Sequence, residues 1–399
     1  MSAASVRRIP GSAPSRGAAR APGLPVAPGN ARTVGAAGLA LAVALLAAGA
    51  PHASAQNTAW DGARWYIGTY ADYLLVWDEE TEQVVDTIRT RNPIPIDVGL
   101  NEKKTRLYVE EASLEKVEII DLERGESIDE ITLSEDSVQV RITGLAVDPE
   151  DRYAIMTVKR YERKPDRYVV RGPFIVKVDL ATKQVTDTIP WPDGEEREGV
   201  GLRFSPDGEV LYMFTDDVIA VDPDTWEEVD RWKLSRPLEP GLGRVGVGLF
   251  PGTYDPEGSV TGLFRTTDPA QNRRLMGIAT VRLAEKEVDF YTLGPSEPMR
   301  GFALAPDGRK AYALLSEVGR YEFWEFDLEG RRVARRVPFA GRPRMGLRVS
   351  HDGSKLYVYV AGNTIDIYDA STFEFLRTVE LAEDMTGVDV LPTRGSPGS

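Results

Sequence analysis

The chain has 399 residues, of which 48 are basic and 62 acidic, for a formal net charge of −14. An acidic balance of that size argues against nonspecific nucleic-acid binding, which needs cations to neutralise phosphates. The absence of cysteine excludes thiol nucleophiles, cysteine-ligated metals and thioether-linked haem, and His52 and His351 are too few for a histidine-rich zinc or copper site within one chain.

Residues 1–55 read as a secretory signal with a long basic region. Arg7, Arg8, Arg16, Arg20 and Arg32 lie among Ala, Gly, Pro and Ser, followed by the apolar "TVGAAGLALAVALLAAGA" and the small-residue site "ASA" at Ala53 to Ala55. The charge-free run is close to the lower limit for a membrane span, so a retained anchor is the alternative. Cleavage would leave a periplasmic or secreted protein with no stable membrane insertion. It would also leave a more acidic chain, because the segment carries arginines and no acids. Residues 56–63 then form a short lead, 64–392 the folded unit and 393–399 a disordered tail.

From there a four-part unit recurs. Its opening run is seen in "PIDVGLN" from Pro95, "TGLAVDPED" from Thr143, "VGLRFSPDG" from Val200 and "VGVGLFPG" from Val245. It returns in "RGFALAPDG" from Arg300, "MGLRVSHDG" from Met345 and "TGVDVLP" from Thr386. The spacing of roughly 40 to 57 residues is that of propeller blades. A second run follows each Pro/Asp/Gly turn, as in "RLYVE" at Arg106 and "KLYVYV" at Lys355. A third ends in Asp78, Asp121, Asp179, Asp222, Asp327 or Asp369, each poised to bond the amides of the turn after it. A fourth, such as "VTDTIP" at Val185 or "FLRTVEL" at Phe375, closes the unit. Alternation and β-branched residues make these runs strands.

The two ends of the repeat complement each other. "ARWYIGTY" is a second-strand sequence without an opening strand before it, whereas "MTGVDVLP" is an opening strand with nothing after it. The expected fold is therefore all-β: a single seven-bladed β-propeller of four-stranded blades, its ring closed by the C-terminal strand joining the first blade beside Trp65 to Thr69.

On "SPDGEVLYMFTDD", "APDGRKAYALL" and "SHDGSKLYVYVAGNTIDIYDASTFEFLRTV", the chain from Trp65 to Pro392 resembles the YVTN-repeat seven-bladed propellers, including the non-cofactor-bearing propeller chains of amine dehydrogenases. That resemblance implies a periplasmic scaffold packed against a cofactor-bearing subunit. It supplies no catalytic residue.

In a propeller, the connection from a fourth strand to the next first strand shares a face with the turn between second and third strands. Arg141, Arg197, Arg244, Arg300 and Arg344 stand at five consecutive blade junctions on that face. Such a ring can focus an anion, and its guanidinium forks suit carboxylate or phosphate. Pairing with acids such as Glu195, Glu196, Glu198 or Glu297 is the competing outcome. Arg203 and Arg348 share a position within two opening strands and either reinforce the channel or wedge between blades. The same face receives the insertions "KRYERKPDRYVVRG" (159–172), "RPLEPGLGR" (236–244) and "RTTDPAQNRR" (265–274). Arg160, Tyr161, Arg163, Arg167 and Tyr168 make the first of these basic and aromatic, fitting another protein subunit or a small anionic ligand.

Catalytic signals are sparse. His351 sits in a turn on the opposite face, and the pairs Asp216–Asp217 and Glu110–Glu111 have no opposed carboxylate recognisable in the sequence. No phosphate loop, calcium loop, metal site or cofactor motif is present. The expected role is non-catalytic binding or scaffolding, with a lactonase-like hydrolase or a free-standing anion-binding protein as the alternatives.

Overall fold

The structure, a computed structural model, describes residues 5–8, 60–247, 252–359 and 362–394; the remainder of the signal segment and residues 395–399 lie outside the described residues. Among the described residues there are seven antiparallel sheets, five of them hydrogen-bonded in the plain order of their strands. Blade 1 is the exception that closes the ring. Its innermost strand is Met385–Arg394, paired to Trp60–Thr69, with Tyr73–Asp78 and Gln83–Arg89 outside them. Within that ladder Trp65 stands opposite Val390, at the position expected from the sequence.

Blades 2, 3 and 4 open with Pro95–Leu100, Val138–Val147 and Gly201–Phe204. Blades 5, 6 and 7 open with Gly246–Val247, Met299–Leu304 and Gly346–Val349. Blade 5 carries a fifth, outermost strand, Ser5–Arg8, antiparallel to the edge strand Glu287–Pro295.

The packing explains why the strands read as nearly continuous apolar runs. Successive side chains of a strand point to opposite faces of its sheet, and each inter-blade junction holds its own apolar cluster. In blade 2, Leu107 and Val109 pack with Tyr66 and Leu74 of blade 1, while Tyr108 between them packs with Ile142 and Met156 of blade 3. The same arrangement repeats around the ring, ending with Trp65 and Trp77 of blade 1 against Tyr357 and Ile367 of blade 7.

The repeated turns are equally regular. In "SPDG", "APDG" and "SHDG", Gly208, Gly308 and Gly353 take φ values of 74, 65 and 74°, the left-handed region open to glycine at little cost. Each of these glycines donates its amide to the carbonyl three residues earlier, at 2.9 Å. The third-strand aspartates also serve turns. Asp179, Asp222 and Asp369 each accept two amide hydrogen bonds from the residues two and three positions on. They are spread one to a blade and close turns.

Candidate functional site

The five junction arginines share a face but not an environment. Arg141 lies within the opening strand of blade 3 rather than before it, and its guanidinium stands 5.3 Å from the centroid of the Tyr161 ring. Arg197 is neutralised by Asp193: Nη1 and Nη2 donate to the two carboxylate oxygens at 2.8 and 2.7 Å, with Glu195 at 3.0 Å. Hydrogen bonding from Arg197, the largest influence, holds the Asp193 carboxyl down to about 2. Arg244 pairs with Asp216 at 3.2 Å where both are exposed, a contact that is worth little in water.

Arg300 and Arg344 differ from these three. Both are exposed, and neither guanidinium has a hydrogen bond or ion pair among the described residues. Glu297, the nearest acid in sequence to Arg300, bonds Arg320 instead at 3.2 Å. Arg344 takes a φ of 61° two residues before the opening strand of blade 7. The two arginines thus leave uncompensated positive charge at consecutive junctions, between blades 5 and 6 and between blades 6 and 7.

The first insertion is a β-hairpin, an extension of Tyr153–Arg163 and Tyr168–Asp179 with Arg163 opposite Tyr168 at its tip. Arg160 and Arg163 are exposed without an ion pair among the described residues, and the Arg163 amide donates to Ser137 O at 2.8 Å. Arg167 pairs with its neighbour Asp166 at 3.0 Å. Tyr161 is half-buried beneath Arg141, whereas Tyr168 is 59% and Val170 51% exposed. The insertion in blade 5 is also a hairpin, Ser259–Asp268 with Arg273–Arg282. The 236–244 connection is tied to it, with Gly243 N donating to Thr267 O at 2.8 Å.

One feature of this face has no local sequence signature. Asp97 of the opening strand stands opposite Glu110 of the next strand in blade 2. Burial first, and the Asp97 charge second, push the Glu110 carboxyl up to about 7. Glu111, its sequence neighbour, instead accepts the Ser113 amide at 2.7 Å and stabilises its own turn. Asp217 accepts the Ser235 amide at 2.9 Å. The acid that Glu110 faces is therefore Asp97 across the ladder, not its sequence neighbour Glu111. Among the described residues, no three His, Asp or Glu side chains are grouped to hold a metal ion.

His351 lies on the opposite face, as its turn position requires. Its ring Nδ1 and its backbone amide both meet Glu79 Oε1 at 2.6 Å, and Trp65 Nε1 donates to the other oxygen at 3.0 Å. The histidine is a structural tie between blades 7 and 1.

No protein-family model and no curated protein matches the chain. Solved structures do. AztD from Citrobacter koseri aligns with a TM-score of 0.50 at 15% identity, covering 84% of this chain and all of that one. A protein of unknown function from Desulfotomaculum acetoxidans aligns with a TM-score of 0.50 at 13% identity, covering 83% of this chain and 99% of that one. At such identities the likeness is one of fold alone: this chain is a seven-bladed β-propeller.

Proposed function

We propose that the protein is an extracytoplasmic, non-catalytic propeller that binds an acidic protein subunit or a small anion on its loop face. The observation that carries this reading is the pair Arg300 and Arg344, exposed and uncompensated in a chain of net charge −14. Such a local reversal of sign draws in anionic partners. The blade 3 hairpin adds Arg160 and Arg163 with the exposed apolar surface of Tyr168 and Val170, a mixture suited to a protein rim. The signal-like segment supports export. The resemblance to the propeller chains of amine dehydrogenases supports a scaffold role beside a cofactor-bearing subunit. Charge reversal of Arg300 and Arg344, read as loss of partner capture, tests the reading.

The Asp97–Glu110 pair favours a second reading, acid–base hydrolysis at the same face. Burial and the Asp97 charge raise the Glu110 carboxyl to about 7, the range in which a general acid or base works. Hydrolysis of a lactone panel, abolished in Glu110→Gln with a retained fold, would place the chain in that class instead.

A further inference from the structure

A cleft recurs on the face opposite the loops, at the junction of blades 6 and 7 and again at that of blades 1 and 2. The first measures about 250 Å³ and is lined by Lys310 and Tyr312 of blade 6 with Asp352 and Asp369 of blade 7. The second is larger, about 350 Å³, and takes Arg64, Tyr66 and Leu391 from blade 1 with Lys104, Arg106 and Leu122 from blade 2. The two occupy the same place in the repeat. Tyr66 and Tyr312 stand in second strands, each two residues after a cation, Arg64 or Lys310. The larger cleft falls at the small end of ligand sites, which run from roughly 300 to 1,000 Å³.

Their charges differ. Lys310 is neutralised by Glu325 at 3.0 Å, and Asp307, Asp352 and Asp369 leave the blade 6–7 cleft acidic. In the blade 1–2 cleft, Arg64 and Lys104 are exposed, and neither side chain has a hydrogen bond or ion pair among the described residues. Asp78, opposite Arg64 in the ladder, is held instead by the amide and hydroxyl of Thr81 at 2.9 and 2.8 Å. Arg106 reaches Asp151 at 3.9 Å. The rim acid Asp121 accepts the Glu123 and Arg124 amides, both at 3.0 Å, so the exposed Glu123 is the one uncommitted carboxylate lining the cleft. The wall adds a buried donor. Tyr66 is only 4% exposed, yet its hydroxyl has no hydrogen-bond partner among the described residues. The equivalent Tyr108, at the junction of blades 2 and 3, donates its hydroxyl to Asp151 at 3.1 Å. A polar group so buried ordinarily finds a partner.

We propose that the blade 1–2 cleft binds a small organic carboxylate with an apolar body. Arg64, Lys104 and the Tyr66 hydroxyl supply the donors for its head, and hydrogen bonds to an ionised acceptor are the strong ones. Leu122 and Leu391 pack on the apolar cluster to which Tyr66 belongs and line the same cleft. The body of the ligand leaves water against them. No residue of this site belongs to the loop face.

Calorimetric titration of the purified chain with benzoate, and separately with hexanoate, tests the site. Saturable one-to-one binding is expected, tighter than that of acetate, which has the head without the body. Benzyl alcohol, which has the body without the charge, should also bind more weakly. Tyr66→Phe removes one hydroxyl and keeps the buried ring; it should weaken binding about tenfold, the loss of one hydrogen bond to a charged group. Arg64→Gln, at an exposed position, should weaken it at least as much. The double variant Arg300→Ala/Arg344→Ala should bind the same carboxylate unchanged, which separates this site from the loop-face reading. Absence of saturable binding by both carboxylates overturns the proposal. So does an affinity that acetate equals, or one that Tyr66→Phe and Arg64→Gln leave untouched.

Discussion

The Glu79 carboxylate accepts both the ring and the backbone amide of His351 through one oxygen at 2.6 Å, across 272 residues of sequence. Blade 1 and blade 7 are thereby joined on the face opposite the loops. Lys355 and Arg377 of blade 7 add ion pairs to Glu82 in the same turn of blade 1. Ring closure thus rests on a buried polar tie as well as on the C-terminal strand. Glu79→Ala leaves the Trp65 indole N–H and the His351 amide without an acceptor and should cost about 3 kcal/mol. His351→Ala keeps the amide bond and should cost less. Urea unfolding of both variants checks the order; an unaffected Glu79→Ala would remove the tie from the account.

Removing Met385–Arg394 should be far more damaging. The strand Trp60–Thr69 would lose its inner partner, and buried Met385 and Val390 would leave the cluster around Trp65 and Trp77. An exposed inner edge invites pairing with other chains. The truncated protein should aggregate or lose its cooperative thermal transition, as measured by circular dichroism and light scattering. A truncated monomer with an unchanged melting temperature would contradict closure by this strand.

Glu110 makes stability depend on pH in a defined direction. Its folded pKa of about 7 lies above its ordinary 4.5, so the folded chain holds the proton more tightly than the unfolded one. The associated stability is fully present below about pH 4.5 and is lost as pH rises through about 7. Glu110→Gln should therefore be the more stable protein at pH 8, by about 3 kcal/mol, with the difference shrinking as the pH approaches 4.5. Parallel denaturation curves across that window test this; a constant difference would show that Glu110 titrates normally.

The apolar part of the loop face should be separable from the fold. Tyr168 and Val170 are more than half exposed on the blade 3 hairpin, so Tyr168→Ala with Val170→Ala should change stability by no more than about 0.5 kcal/mol. Under the binding reading the same variant should capture less partner. A large drop in melting temperature would instead give these residues a packing role.

The architecture was legible because the repeat is periodic and its local chemistry is strict. The Asp-Gly turns, the third-strand aspartates and the complementary ends all depend on residues close in sequence. The site was only partly legible, because ion-pair choice depends on how loops fold. Arg197 takes Asp193 and Glu195 rather than Glu196 or Glu198, and Glu297 takes Arg320 rather than Arg300. Asp97 and Glu110 become a pair only once the strand register is known. Tyr66 gives no sign in the sequence of sharing a cleft with Lys104 and Leu391, which meet only once blades 1 and 2 are packed.

The most direct test of the central claim is affinity capture of the protein from its native extracytoplasmic fraction at low and high salt, comparing wild type with Arg300→Glu/Arg344→Glu. Mass spectrometry and an optical spectrum of the eluate identify what is held. The account predicts a stoichiometric acidic partner that is released by salt and absent from the charge-reversed variant, which should melt at the wild-type temperature. Retention of the same partner by the folded variant, or a wild-type protein that holds neither protein nor anion, would contradict it.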